Sequence, residues 1–154
     1  EGFEKGAYIV QGDPDATPDI ILIGTGSELH LCTQAAQALE QNGVSTRVVS
    51  MASMARFEAQ SESYRDAVLP KACPVRLSVE AGRTKGWEHY VGPFGGSVGV
   101  DRFGESAPAA ELAKFFGISL DNVLNQAQAL LDRFEADAQA QIETLEAAIA
   151  RRAG

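Results

Sequence analysis

The sequence lacks most of the features that mark metal, membrane or nucleic-acid proteins. Cysteine occurs only at Cys32 and Cys73, far apart and without a CxxC partner or a histidine at zinc spacing. A zinc site and a disulfide framework are therefore not expected, and both thiols read as free and buried in a reducing cytoplasm. Histidine is equally scarce, with His30 and His89 far apart. There is one tryptophan, Trp87, and no GK[ST] phosphate loop. Basic residues are outnumbered, 13 Lys plus Arg against 21 Asp plus Glu, for a net charge of -8. Such a surface repels phosphate backbones, which argues against nucleic-acid binding. No run approaches the roughly 20 apolar residues of a membrane span, and no basic segment followed by an apolar one reads as a signal peptide.

Against these absences stands a chain of 154 residues that is 45% hydrophobic and 22% charged, enough to build the core of one ordinary domain. The first residue is Glu rather than Met, so the expectation is a fragment or a processed product.

The order of elements is read from periodicity. Ala7 to Val10 is short and β-prone, and the turn-rich Gly12-Asp13-Pro14-Asp15 follows. Ile20 to Gly24 is apolar without alternation, as in a strand covered on both faces of a parallel sheet. Thr25 and Glu28 fit a capping box ahead of a helix whose face is Leu29, Cys32, Ala36 and Leu39, ended by Asn42-Gly43. Strands are predicted over 44–51, 75–80 and 97–101. One helical stretch, carrying Phe57, Tyr64 and Val68, falls between the first two, and a helix from Pro108 through Phe116 follows the last. The class is α/β: a three-layer α/β/α fold on a five-stranded, mostly parallel (mixed) sheet, with the first strand free to run antiparallel.

From Ser119 onward the apolar positions Val123, Ala127, Leu130, Phe134, Ala138, Ile142, Leu145 and Ile149 advance by threes and fours. They predict a helix of some 30 residues, about 45 Å long, which overhangs a domain of this size. Two readings stay open: the helix kinks and folds back over the domain, or it stays extended and pairs with a partner chain.

Two stretches carry candidate chemistry. The turn at Thr25, Gly26 and Ser27 lies where α/β folds often hold anions, and it is also the tight turn that any such strand-to-helix connection needs. The segment from Glu80 to Tyr90 gathers Glu80, Arg83, Lys85 and His89, either as an acid/base cluster or as an ion network beside a packed Trp87–Tyr90 pair at an interface. His30 reads as a surface residue. No complete catalytic constellation is visible.

A run of consecutive segments then resembles the C-terminal, third domain of transketolase, from about Gly6 to Leu131. The segments are Glu4-Lys5-Gly6-Ala7-Tyr8, Ile21 to Leu29 (ILIGTGSEL), Arg47 to Met51 (RVVSM), Tyr64 to Pro70 (YRDAVLP), Ser78-Val79-Glu80-Ala81, Gly86 to Gly92 (GWEHYVG) and Asp101 to Pro108 (DRFGESAP). The resemblance implies a thiamine-diphosphate- and magnesium-dependent enzyme that moves a two-carbon ketol unit between sugar phosphates in the pentose phosphate and Calvin pathways, working as a homodimer. It places the cofactor between the first two domains, so no catalytic, cofactor-binding or metal residue carries over to this chain. The third domain would serve packing and dimer assembly in the cytoplasm. Ala52 stands where the family usually has Pro. Residues 132–154 extend past the usual family end, so the expected division is 1–131 and 132–154. Interface candidates are Trp87, Tyr90, Ile142, Leu145 and Ile149. The rival expectations are a stand-alone interaction or regulatory module that associates through the C-terminal helix, and a small anion-binding domain.

Overall fold

The computed structural model describes residues 2–101 and 117–153. Five strands form one sheet in the order β1-β3-β2-β4-β5: β1 Ala7–Gln11, β2 Ile20–Gly24, β3 Thr46–Met51, β4 Arg76–Val79 and β5 Gly96–Val98. β1 runs antiparallel to β3, with a bulge between Ile9 and Gln11, and the other pairs are parallel. The described helices are α1 Leu29–Gln41, α2 Met54–Glu58, α3 Glu62–Val68, α4 Glu88–Val91 and α5 Leu120–Ala153. The mixed sheet and the antiparallel first strand agree with the sequence reading. The DRFGESAP segment beyond Asp101 and the helix expected from Pro108 to Phe116 lie outside the described residues.

The unbroken apolar run of β2 is explained by cover on both sides. Ile20 and Leu22 point to one face, where Val48, Leu77 and Val79 meet α1 (Cys32, Ala35, Ala36, Leu39) and the first turns of α5 (Val123, Ala127, Leu130). Ile21 and Ile23 point to the other, where Val49 and Met51 meet Phe57 of α2, Val68 of α3 and the Trp87–Tyr90 pair. Side chains alternate across a strand, so only a strand sandwiched between helix layers needs every position apolar.

Several boundaries move for identifiable reasons. β3 begins at Thr46 because Ser45 is engaged by Asp19: its amide donates to Asp19 Oδ2 at 2.7 Å, and its carbonyl accepts from the Asp19 amide at 2.8 Å. The single helical stretch expected around Phe57 to Val68 is two helices. Ser53 caps the first, accepting from the Arg56 amide, and Ser61 caps the second, accepting from the Tyr64 amide. β5 stops at Val98 because the chain then turns away, with the Val100 amide bonded to the Gly82 carbonyl at 2.7 Å. At Gly6 the backbone takes φ 91, and a Cβ there would meet Phe57 N and Ser53 O, so glycine locks the start of β1 against α2.

α5 is one continuous helix of 34 residues, about 51 Å long at 1.5 Å per residue. The reading in which it kinks and folds back is therefore wrong. No Pro or Gly interrupts it, and kinks need such a cause. Its start is as expected: Ser119 accepts from the Asn122 amide through Oγ at 3.3 Å. Its docked part ends near Phe134, whose ring stands edge-on to Phe94 at 5.2 Å, and Arg133 donates to the carbonyls of Pro93 and Gly95. Beyond that point the helix leaves the domain, with Ile142, Leu145 and Ile149 exposed at 49%, 62% and 66%.

Candidate functional site

The C-terminal ends of β2 and β4 are neighbours in the sheet, and the chain leaves them toward opposite flanks. That is where open α/β sheets form a crevice for ligands. Both candidate stretches of the sequence reading lie at this edge, because Thr25 follows β2 and Glu80 follows β4.

The Thr25–Ser27 turn is built differently from the expectation. Thr25 is extended and its side chain makes no capping bond. Gly26 to Glu28 form a single 3₁₀ turn, and α1 begins only at Leu29. The capping box is thus absent, since the 3₁₀ turn lets the Glu28 amide reach the Thr25 carbonyl at 3.0 Å instead. The Ser27 hydroxyl donates to the Glu28 carboxylate at 2.8 Å. An incoming anion here would meet that carboxylate beside the free amides, which weakens the case for Thr25, Gly26 and Ser27 as an anion site. Gly26, at φ 50, has open space around it. His30 is a surface residue, as expected.

The Glu80 loop does not assemble an acid/base cluster. Glu80 Oε2 accepts from the Trp87 indole N–H at 2.7 Å. His89 lies elsewhere, 3.4 Å from Glu58 Oε1 in α2, and Arg83 and Lys85 make no ion pair among the described residues. The loop is held by its own carboxylates. Asp101 accepts from the Thr84 amide and hydroxyl at 2.9 and 2.7 Å, which lower its pKa, and Glu88 caps the Gly86 amide at 2.7 Å. Trp87 and Tyr90 do pair, edge to face at 5.9 Å, but they turn inward: Trp87 is 2% exposed, under α4 and against Ile21 and Ile23. The apolar surface expected at an interface lies inside the domain.

Two arginines went unnoticed in the sequence. Arg47, 1% exposed, sends Nη1 to the carbonyls of Ala67 and Val68 (3.0 and 3.4 Å) and Nη2 to those of Asp13, Pro14 and Ala16 (2.9, 3.2 and 2.8 Å). Arg76 reaches Cys73, Leu69, Pro70 and Tyr90, again through carbonyls. Both guanidinium groups gather at the C-terminal end of α3, where orphan carbonyls and the negative end of the helix dipole favour a cation. Burial lowers both pKa values. The visible signal was an arginine near the start of each apolar strand, second in β3 and first in β4.

The groove between α2, α3 and α4 has a volume of about 220 Å³ and is lined by charge. Arg65 pairs with Glu58 at 2.7 Å, and Lys71 pairs with Glu62 at 2.8 Å. Partial burial would raise the Glu58 pKa, but hydrogen bonds from Tyr90 and Arg65 and the charges of His89 and Arg65 outweigh it and hold the carboxyl low. Among the described residues no three of His, Cys, Asp and Glu converge where they could hold a metal ion. No described helix is long and apolar enough to cross a membrane.

The side chains of both candidate stretches thus bond largely within their own loops, and the family is decided by comparison. The model of the transketolase-like C-terminal domain matches residues 6–119, most of the chain. The chain belongs to the transketolase C-terminal domain family. Its relatives in that family include the transketolase of Nostoc sp., 53% identical over 127 residues, and that of Geobacillus stearothermophilus, 45% identical over 133. These matches cover 82% and 86% of this chain but only 19% and 20% of the relatives, so the chain spans about a fifth of their length. Among solved structures, the transketolase from Leishmania mexicana superposes with a TM-score of 0.78 at 41% identity, over 86% of this chain and 19% of that one. The transketolase C-terminal domain match begins at Gly6, the glycine that locks β1, and ends at Ser119, the cap of α5.

Proposed function

We propose that this chain works as the third domain of a thiamine-diphosphate-dependent transketolase, supporting domain packing and dimer assembly and supplying no reacting group. The observation that carries this is the family match over 6–119, together with a crevice whose side chains bond to one another rather than converge on a substrate. In the whole enzyme, thiamine diphosphate with magnesium supplies carbanion chemistry for moving a two-carbon ketol unit between sugar phosphates. On this reading those groups are held by the first two domains, and the remaining domains and a second subunit are this chain's partners. The two free, buried thiols fit a reducing compartment such as the cytoplasm. The domain ends at about Leu131, and 132–154 is an extension added to it, since most of its residues are exposed.

The test is a graft. This chain replaces the matching C-terminal part of the Nostoc transketolase, and ketol transfer from xylulose 5-phosphate to ribose 5-phosphate is followed. The graft is expected to dimerise and to turn over within about tenfold of the parent, while the isolated chain shows no turnover. Turnover by the isolated chain would sink the proposal.

A further inference from the structure

The face of α5 that docks on the sheet does not end where the domain ends. Val123, Ala127, Leu130 and Phe134 pack inward, and the same stripe continues through Ala138, Ile142, Leu145 and Ile149 along the free part of the helix. In heptad terms Glu135, Ile142 and Ile149 occupy a positions, and Ala138, Leu145 and Arg152 occupy d positions. The seam is therefore apolar in its middle, with a carboxylate at its inner end and a guanidinium at its outer end. Both charged residues are exposed, and neither has an ion-pair partner among the described residues.

This charge order selects the occupant and its direction. We infer that residues 135–152 pair antiparallel with the same segment of a second copy of this chain. An antiparallel pair packs a against d, which sets Ile142 against Leu145 of the second copy and Ala138 against its Ile149. The same register, with no further adjustment, sets Glu135 against the second copy's Arg152, once at each end. A parallel pair in register would instead oppose Glu135 to Glu135 and Arg152 to Arg152, which like-charge repulsion disfavours. The flanking positions do not resist: Gln139 faces Glu146 of the second copy, and Gln141 faces Ala148. The paired segment is about 26 Å long and stops one residue short of Phe134. Three exposed aliphatic residues per helix make a contact well below the roughly 800 Å² per partner of a standard interface, so the dimer is weak and concentration-dependent. This inference is independent of the transketolase reading.

Sedimentation velocity on the chain from 5 to 500 μM is expected to show a reversible monomer–dimer equilibrium. Leu145→Asp should raise the dissociation constant at least tenfold. Because Leu145 lies on the free part of the helix, the variant's thermal melt should stay at the wild-type temperature, which shows that the domain still folds. Glu135→Arg and Arg152→Glu should each weaken the dimer, and the double exchange should restore it. In a disulfide trap, chains carrying Gln139→Cys should link to chains carrying Glu146→Cys when mixed, and much less when either is alone. A chain that stays monomeric at 500 μM overturns the inference. So does a dimer indifferent to Leu145→Asp, which would place the contact on another face, or a trap in which each variant links to itself, which would make the pair parallel.

Discussion

Replacing Arg47 by methionine keeps most of the side chain's volume but removes a guanidinium that holds five carbonyls. Two terms oppose each other. Removing a buried cation recovers its desolvation cost, and replacements of buried charges by apolar groups are sometimes neutral for that reason. Here, however, the partners are not removed with the charge. The carbonyls of Asp13, Pro14 and Ala16 sit in an exposed turn and can rotate toward water, whereas those of Ala67 and Val68 are fixed in the last turn of α3, Val68 being buried, and have less freedom to turn. Two stranded acceptors at about 1–3 kcal/mol each, plus the loosened turn, give a loss of about 3–5 kcal/mol. For a chain of this length each kcal/mol moves the melting temperature by about 2–4 °C, so a fall of roughly 6–20 °C is expected. Thermal and urea unfolding followed by circular dichroism reads it directly, and proteolysis in the 12–17 turn should accelerate. Arg47→Lys, which keeps the charge but offers a single point of donation, should fall between the two. A methionine variant within 1 kcal/mol of wild type would refute the argument, because it would mean that the carbonyls had found other partners.

Two further expectations rest on the same packing. Glu80→Ala removes the charged acceptor of the Trp87 indole and should cost about 1.5–3 kcal/mol in urea unfolding with a red shift of the single-tryptophan emission, Glu80→Gln costing less; unchanged emission and midpoint would show that the bond holds nothing in place. Burial, and then the hydrogen bond to Glu58, push the Tyr90 hydroxyl up to about 12, so the folded chain keeps a proton that the unfolded chain releases near pH 10. Its contribution is complete below pH 10 and is lost as pH rises toward 12. Melting curves should show a steeper loss in wild type than in Tyr90→Phe, which keeps the raised Cys32, Cys73 and Tyr64, and equal slopes in both would contradict it.

How much of this was legible in the chain differs from element to element. β2 could be read because a strand covered on both faces must be apolar at every position, which is a purely local signature. α5 could be read because steps of three and four run for thirty residues with no helix breaker, whereas its straight course beyond the domain could not. Gly6, Thr25 and Glu80 were found as motif residues, but their roles were not. A capping box and a one-turn 3₁₀ entry share one sequence and differ only in how the turn packs under β2. The acid/base cluster failed because His89 leaves the loop on α4 and meets α2, a contact between segments some thirty residues apart. The two strand arginines look like surface charge until α3 is laid against them.

The sequence by itself thus determined the order of elements, the two-faced burial of the sheet and the length of the last helix, because each follows from spacing along the chain. Only the tertiary structure decided which charges meet carbonyls, which aromatic rings turn inward, and which part of α5 has no neighbour. Those outcomes depend on groups brought together across the sheet, where burial sets the energy of each contact.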